Sequence, residues 1–83
     1  SDLEHGAFYA NTSESGYVPP FRVKAVDSVG AGDAFNGALA VSLSENNSLG
    51  EATRFASAAG ALAVTKIGAQ DAMPTRSEIE NLL

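Results

Sequence analysis

The sequence predicts an α/β fold, short strands followed by helices, forming one edge of an α/β sandwich, and three observations carry that reading. Residues 6–26 alternate brief apolar, β-branched or aromatic segments with turn residues. From Ala31 onward the chain is rich in alanine and leucine at helical spacing and carries two capping-box patterns. Between these halves lies a small-residue turn, Gly30-Ala31-Gly32.

The strand half runs from Gly6 to Tyr9, turns through Asn11 to Gly16, and resumes at Tyr17-Val18 and again at Phe21 to Val26, which predicts two or three short strands. Pro19 and Pro20 cannot donate ladder hydrogen bonds, so that stretch belongs to an edge or a connection. Ala31 to about Ser44 reads as a helix with Phe35, Leu39 and Leu43 on its buried face. Ser48, with Glu51 closing a capping box, starts a second helix through Ala52, Phe55, Ala56, Ala59 and Ala63, whose small residues permit close packing. After Pro74, the Thr75-Arg76-Ser77-Glu78 pattern opens a short terminal helix carrying Ile79, Leu82 and Leu83. No internal repeat or low-complexity linker interrupts this order. So few strands cannot cover the helices, so an exposed apolar face is expected.

A chain of 83 residues is small for a catalytic domain and buries only a modest share of its apolar surface. Composition is that of a globular, soluble protein, and no apolar run approaches the roughly 20 residues that span a bilayer. The absence of cysteine excludes disulfides and thiolate metal sites. Ser1-Asp2-Leu3-Glu4 lacks a basic stretch followed by an apolar core, so no signal peptide is read and a cytoplasmic location is expected. The triplets Asn11-Thr12-Ser13 and Asn46-Asn47-Ser48 matter as glycosylation acceptors only in a secreted protein. A net charge of -5, with five basic residues scattered along the chain, gives no stripe for tracking a nucleic-acid backbone. A small anion held by backbone amides remains compatible with that charge.

The chemistry-bearing string is Asp27-Ser28-Val29-Gly30-Ala31-Gly32-Asp33-Ala34-Phe35, a strand end turning directly into a helix. Gly30, Ala31 and Gly32 offer backbone N–H groups with no bulky side chains at the positive end of a helix, an arrangement suited to a phosphoryl group in transfer. Asp33 follows at the helix start, where a carboxylate can take the proton of an approaching hydroxyl. The spacing lacks the third glycine of a dinucleotide fingerprint and the Gly-Lys-Ser/Thr of a Walker A loop. From the residues alone, a plain structural turn with Asp33 favouring the helix dipole stands beside the functional reading. His5, the only histidine, reads as a surface residue; Lys66 reads as a solvated side chain, and Glu45, Glu51, Glu78 and Glu80 as solvated or capping groups.

The same string resembles the second signature of the ribokinase-like (PfkB) carbohydrate kinase family, in which a strand-ending Asp-Thr/Ser precedes Gly/Ala-Ala-Gly-Asp and an aromatic residue. The resemblance extends through Phe35-Asn36-Gly37-Ala38-Leu39, Glu51-Ala52-Thr53-Arg54-Phe55-Ala56, Val64-Thr65-Lys66-Ile67-Gly68-Ala69-Gln70 and Met73-Pro74-Thr75, covering nearly the whole chain and looking most like the ribokinases. It implies that residues 1–83 are the C-terminal nucleotide-binding and catalytic part of a kinase domain, an incomplete domain on its own. It further implies an ATP-dependent sugar kinase acting on a primary hydroxyl, with ribose to ribose 5-phosphate as first candidate. Asp33 would then be the general base and touch the sugar, and the amides of Gly30, Ala31 and Gly32 the anion hole for the ATP phosphates.

Ser57 falls where the family places a residue beside the adenine, commonly Asn or His. A monovalent cation, potassium, is implied near the anion hole, held by the Asp27 carboxylate and the backbone carbonyls of Val29, Ala63, Lys66 and Gly68. Ala72 stands where ribokinases often carry a serine ligand, and a methyl cannot coordinate. Mg²⁺ is implied with ATP, with no obvious direct ligand in this sequence. The implied partners are sugar, ATP and the N-terminal part of the kinase, with a homodimer as the assembly of the full-length protein and neither nucleic acid nor membrane. The competing reading is a noncatalytic nucleotide-binding or subunit-pairing module that keeps the anion hole without turnover.

Overall fold

The structure, a computed structural model, describes residues 5–24, 26, 30–65 and 74–83. It is built from a two-stranded sheet and three helices: β1 (Ala7–Ala10), β2 (Ser15–Val18), α1 (Ala31–Ser44), α2 (Leu49–Ala63) and α3 (Arg76–Leu82).

The strands pair antiparallel, with Ala7 opposite Val18, Phe8 opposite Tyr17, Tyr9 opposite Gly16 and Ala10 opposite Ser15. Asn11 makes the reversal: its Oδ1 accepts from the amides of Ser13 (2.7 Å) and Glu14 (2.8 Å), a side chain standing in for turn backbone. Period-two alternation then sorts the faces. Ala7 and Val18 are buried toward the helices, while Phe8 and Tyr17 pair on the outside with ring centroids 4.7 Å apart. β2 stops at Val18, immediately before Pro19 and Pro20, as their missing N–H groups require. Residues 21–24 form no strand, so of the two or three strands expected the described residues contain two.

The hairpin is fixed to the helices by Glu14, whose Oε1 accepts from the amide of Gly50, 3.0 Å away, in the first turn of α2. A carboxylate at this end of a helix meets both an unpaired amide and the positive end of the dipole. The Tyr9 hydroxyl lies so close to Gly50 and Gly16 that a Cβ at either position would collide with it.

α2 and α3 start where their capping boxes predict. Ser48 Oγ accepts from the Glu51 amide while Glu51 Oε1 accepts from the Ser48 amide, both at 3.1 Å. Thr75 and Glu78 repeat the exchange at the start of α3. The four residues between α1 and α2 turn through Asn46, which adopts a left-handed conformation (φ 66°) that asparagine tolerates. Asn47 Nδ2 donates to Ser42 Oγ inside this corner, at 2.9 Å.

The core is a seam of methyl groups. Ala34, Ala52, Ala56, Ala58, Ala59 and Ala63 are wholly inaccessible, and no larger side chain among the described residues is fully buried. One cluster joins Ala38 of α1 to Ala56, Ala58 and Ala59 of α2 and Ile79 of α3, with Phe21, Phe35, Leu39 and Phe55 packed around it. A second, smaller cluster joins Ala31 and Ala34 to Ala63. The expected buried stripe of α1 is thereby corrected: Ala31, Ala34, Ala38 and Ser42 are its buried face, Phe35 and Leu39 are half-buried, and Leu43 is 43% exposed. Helices that meet over methyls approach closely, and the bulky residues one position away flank the contact.

Arg76 ties the helices together outside this core. Its Nη2 lies 2.6 Å from Glu45 Oε2 at the end of α1, and its guanidinium sits 5.3 Å from the Phe55 ring centroid on α2. Both charged groups are close to half exposed, so water screens the ion pair. The expected apolar face is present as a groove of about 270 Å³ bordered by Ala34, Ala38 and Val41 of α1, Phe55 and Ala59 of α2 and Ile79 of α3. Among the described residues no helix is long and apolar enough to cross a membrane.

Cap and ion pair differ in worth. In urea unfolding, Ser48→Ala is expected to cost about 1 kcal/mol, and breaking the exposed pair with Glu45→Gln less than about 0.5 kcal/mol. A larger loss for Glu45→Gln would overturn this ranking.

Candidate functional site

Gly30 is the N-cap of α1 and takes φ 87°, ψ -7°, a left-handed conformation in which a Cβ clashes with the following carbonyl. Its own carbonyl accepts from the Ala34 amide at 2.9 Å, closing the first helical turn. Among the described residues no side chain caps α1, whereas α2 and α3 are each capped by a hydroxyl and a carboxylate. The first-turn amides of α1 therefore keep their donor capacity, at the positive end of a 14-residue helix.

The turn has a seated side and an open side. Ala31 is 8% exposed, packed against Ala34 and Ala63. Gly32 and Asp33 face solvent, and a Cβ placed on Gly32 would meet no atom within 4 Å. Asp33 is thus a carboxylate on the open side of the turn, within the first turn of α1. Next to it the Val26 amide donates to the Val64 carbonyl at 2.6 Å, fastening the chain that enters the turn to the end of α2.

Of the residues singled out in the sequence, Gly30, Ala31, Gly32 and Asp33 form this turn and Ala63 is brought against it from α2. Ser57 lies six residues before Ala63, about 9 Å back along the helix. Its side chain is buried, and its Oγ has no hydrogen-bond partner. A buried hydroxyl without a partner is costly, so Ser57 is a polar group in want of a ligand or a water. Asp27, Val29, Lys66, Gly68 and Ala72 lie outside the described residues. His5 is exposed, and the described residues contain no group of three His, Asp or Glu side chains arranged to hold a metal ion. Glu51 and Glu78 cap helices and Glu45 pairs with Arg76, in line with the structural roles read for them.

Sequence reasoning did not find the pairing of Ala31 and Ala34 with Ala63, because alanines at helical spacing do not name their partner. Nor did it find Arg76 as a tie between helices, since Glu45 lies 31 residues away.

Comparison with known proteins adds an independent line. The pattern of the pfkB family of carbohydrate kinases matches residues 4–76. The chain is 46% identical over 80 residues to the ribokinase of Bacillus subtilis, covering 96% of this chain and 27% of that protein. It is 44% identical over 87 residues to probable fructokinase-4 of Arabidopsis thaliana, again 96% of this chain and 27% of the relative. Among solved structures it resembles ribokinase from Thermotoga maritima (TM-score 0.88, 47% identity, 95% of this chain and 27% of that one). It also resembles a ribokinase II of Escherichia coli in complex with ATP and Mg²⁺ (TM-score 0.90, 35% identity, 95% and 26%). A third similar structure is phosphofructokinase-2 of Escherichia coli in complex with potassium (TM-score 0.84, 33% identity, 95% and 25%). The chain thus spans about a quarter of the length of these relatives.

The two glycines of the turn separate by stability. Gly30→Ala is expected to cost about 1–2 kcal/mol because the left-handed conformation is retained under strain. Gly32→Ala is expected to be neutral or stabilising by up to about 1 kcal/mol, since the space is open and alanine favours a helix. Thermal unfolding of both variants checks this, and a large loss at Gly32 would mean that the fold itself requires that glycine.

Proposed function

The chain belongs to the pfkB family of carbohydrate kinases, and from that premise we propose that it is the C-terminal, phosphoryl-handling part of an ATP-dependent sugar kinase. The acceptor is a primary hydroxyl, with ribose to ribose 5-phosphate as first candidate. The observation that carries the reading is the uncapped Gly30 turn with Asp33 on its open side.

In this mechanism the Asp33 carboxylate contacts the sugar and accepts the proton of its hydroxyl as that oxygen attacks the γ-phosphorus of ATP. The new sugar O–P bond forms, the bond from the γ-phosphorus to the bridging oxygen breaks, and ADP leaves with the electron pair. The amides of Gly30, Ala31 and Gly32 donate to the phosphoryl oxygens in transit. Only a residue without a side chain lets the phosphate approach the Gly32 amide from the open side. Ser57 supports the nucleotide side: its unpartnered hydroxyl is the polar group on α2 that a bound adenine nucleotide would satisfy, either directly or through a water.

Mg²⁺ supplies charge neutralisation across the phosphates. The described residues offer it no carboxylate cluster, so its fit rests on ATP itself. Potassium would be held by the Asp27 carboxylate and the carbonyls of Val29, Ala63, Lys66 and Gly68. Ala63 suits this role because the last carbonyls of a helix lack partners within it. Ala72 contributes no ligand.

The relatives are about four times longer, which supports reading residues 1–83 as an incomplete domain that is inactive alone and completed by an N-terminal part with most of the sugar contacts. The same open apolar groove favours a second reading, a noncatalytic module that binds nucleotide or pairs with another subunit.

ATP-to-ADP turnover by the full-length kinase, with ribose, fructose or adenosine and with or without potassium, decides between them. Ribose-dependent, potassium-stimulated turnover is expected, and Asp33→Asn should lower kcat by on the order of 10²- to 10⁴-fold while ATP binding survives. Absence of turnover with every acceptor would leave the binding module.

A further inference from the structure

We infer that Ala63 is a positioning residue for the phosphoryl-handling turn, acting through its methyl group; the inference rests on the anion-site reading of Gly30–Gly32. Ala63 touches the turn from beneath, where it is buried with Ala31 and Ala34 and neither Ala34 nor Ala63 retains any exposure. The next residue, Val64, holds the chain entering the turn, because its carbonyl accepts the Val26 amide at 2.6 Å. One end of one helix therefore meets both the α1 N-terminus and Val26 upstream of it.

Size at position 63 is the controlled variable. The seat is buried, with Ala63 and Ala34 fully covered, and α1 is bound along its remaining length by a separate cluster around Ala38 and Ala59. Two added carbons at position 63 press on Ala31 and Ala34, and so on the first turn of α1, which carries the amides and Asp33. A displacement of about 1 Å in groups that orient a reacting centre costs on the order of a hundredfold in rate. This role belongs to the side chain and is separate from any ligation by the Ala63 carbonyl. Ala58 supplies the matched control: it is equally buried, on the same helix, but in the other cluster.

The test uses the full-length kinase, amide resonances by NMR, and inorganic tripolyphosphate as the probe, compared among wild type, Ala63→Val and Ala58→Val. Ala63→Val is expected to shift the amides of Gly30 to Asp33 and to weaken tripolyphosphate binding at least tenfold per folded molecule. Ala58→Val is expected to lower the melting temperature while leaving those amides and the affinity unchanged. If Ala63→Val does not fold, Ala63→Gly serves in its place, with the same amides shifting and affinity falling about threefold. Unshifted turn amides, or equal shifts in the Ala58 variant, overturn the inference. Failure of the wild-type chain to bind tripolyphosphate counts against the anion site itself, and the amide shifts of the two variants still decide the positioning role.

Discussion

Ala34, Ala59 and Ala63 lose all their surface to solvent, and the rest of the molecule depends on the close approach of α1 and α2 that this makes necessary. Each methyl contributes little hydrophobic free energy, near 0.8 kcal/mol per buried carbon. What the seam provides is geometry: two helices at short range cannot slide without a clash, so their ends are fixed relative to one another. The α1 N-terminus then lies at the α2 C-terminus, and the chain entering the turn is hydrogen-bonded there through Val26.

That arrangement separates a buried side of the turn from an open one within five residues. Ala31 and Ala34 face inward and are held; Gly32 and Asp33 are exposed, and a Cβ on Gly32 would meet no atom within 4 Å. First-turn amides of α2 and α3 donate to Ser48 Oγ, Thr75 Oγ1 and, across the fold, Glu14, while the N-cap amides donate to Glu51 and Glu78. Among the described residues α1 spends none of its own on a side chain, which leaves its glycine turn open to a ligand.

Much of the fold was legible because its signals are local. A capping box states a helix start within four residues, and both such patterns begin helices where read. Pro19 likewise marks the end of β2. The buried face of α1 was not legible: Phe35, Leu39 and Leu43 make the stronger hydrophobic stripe, yet the proximity of α2 selects alanine for the contact and leaves Leu43 exposed. Periodicity reports which residues are apolar, whereas the partner's distance decides which are buried. In the candidate site, the string Gly30-Ala31-Gly32 was readable as a helix start and drew its functional reading from the family resemblance, while the seat beneath it and the orphaned Ser57 hydroxyl depend on tertiary contacts that no short window contains.

The hairpin carries a consequence for self-association. Its outer face leaves Phe8 83% exposed beside Tyr17, and among the described residues no further strand covers either edge of the ribbon, the combination that invites strand-to-strand recruitment. Each strand is only four residues long, and the two prolines after Val18 remove donors where β2 would lengthen. An incoming strand would find too short a template to propagate along, so the brevity that makes this sheet a minor element of the fold also guards the chain against polymerising through it.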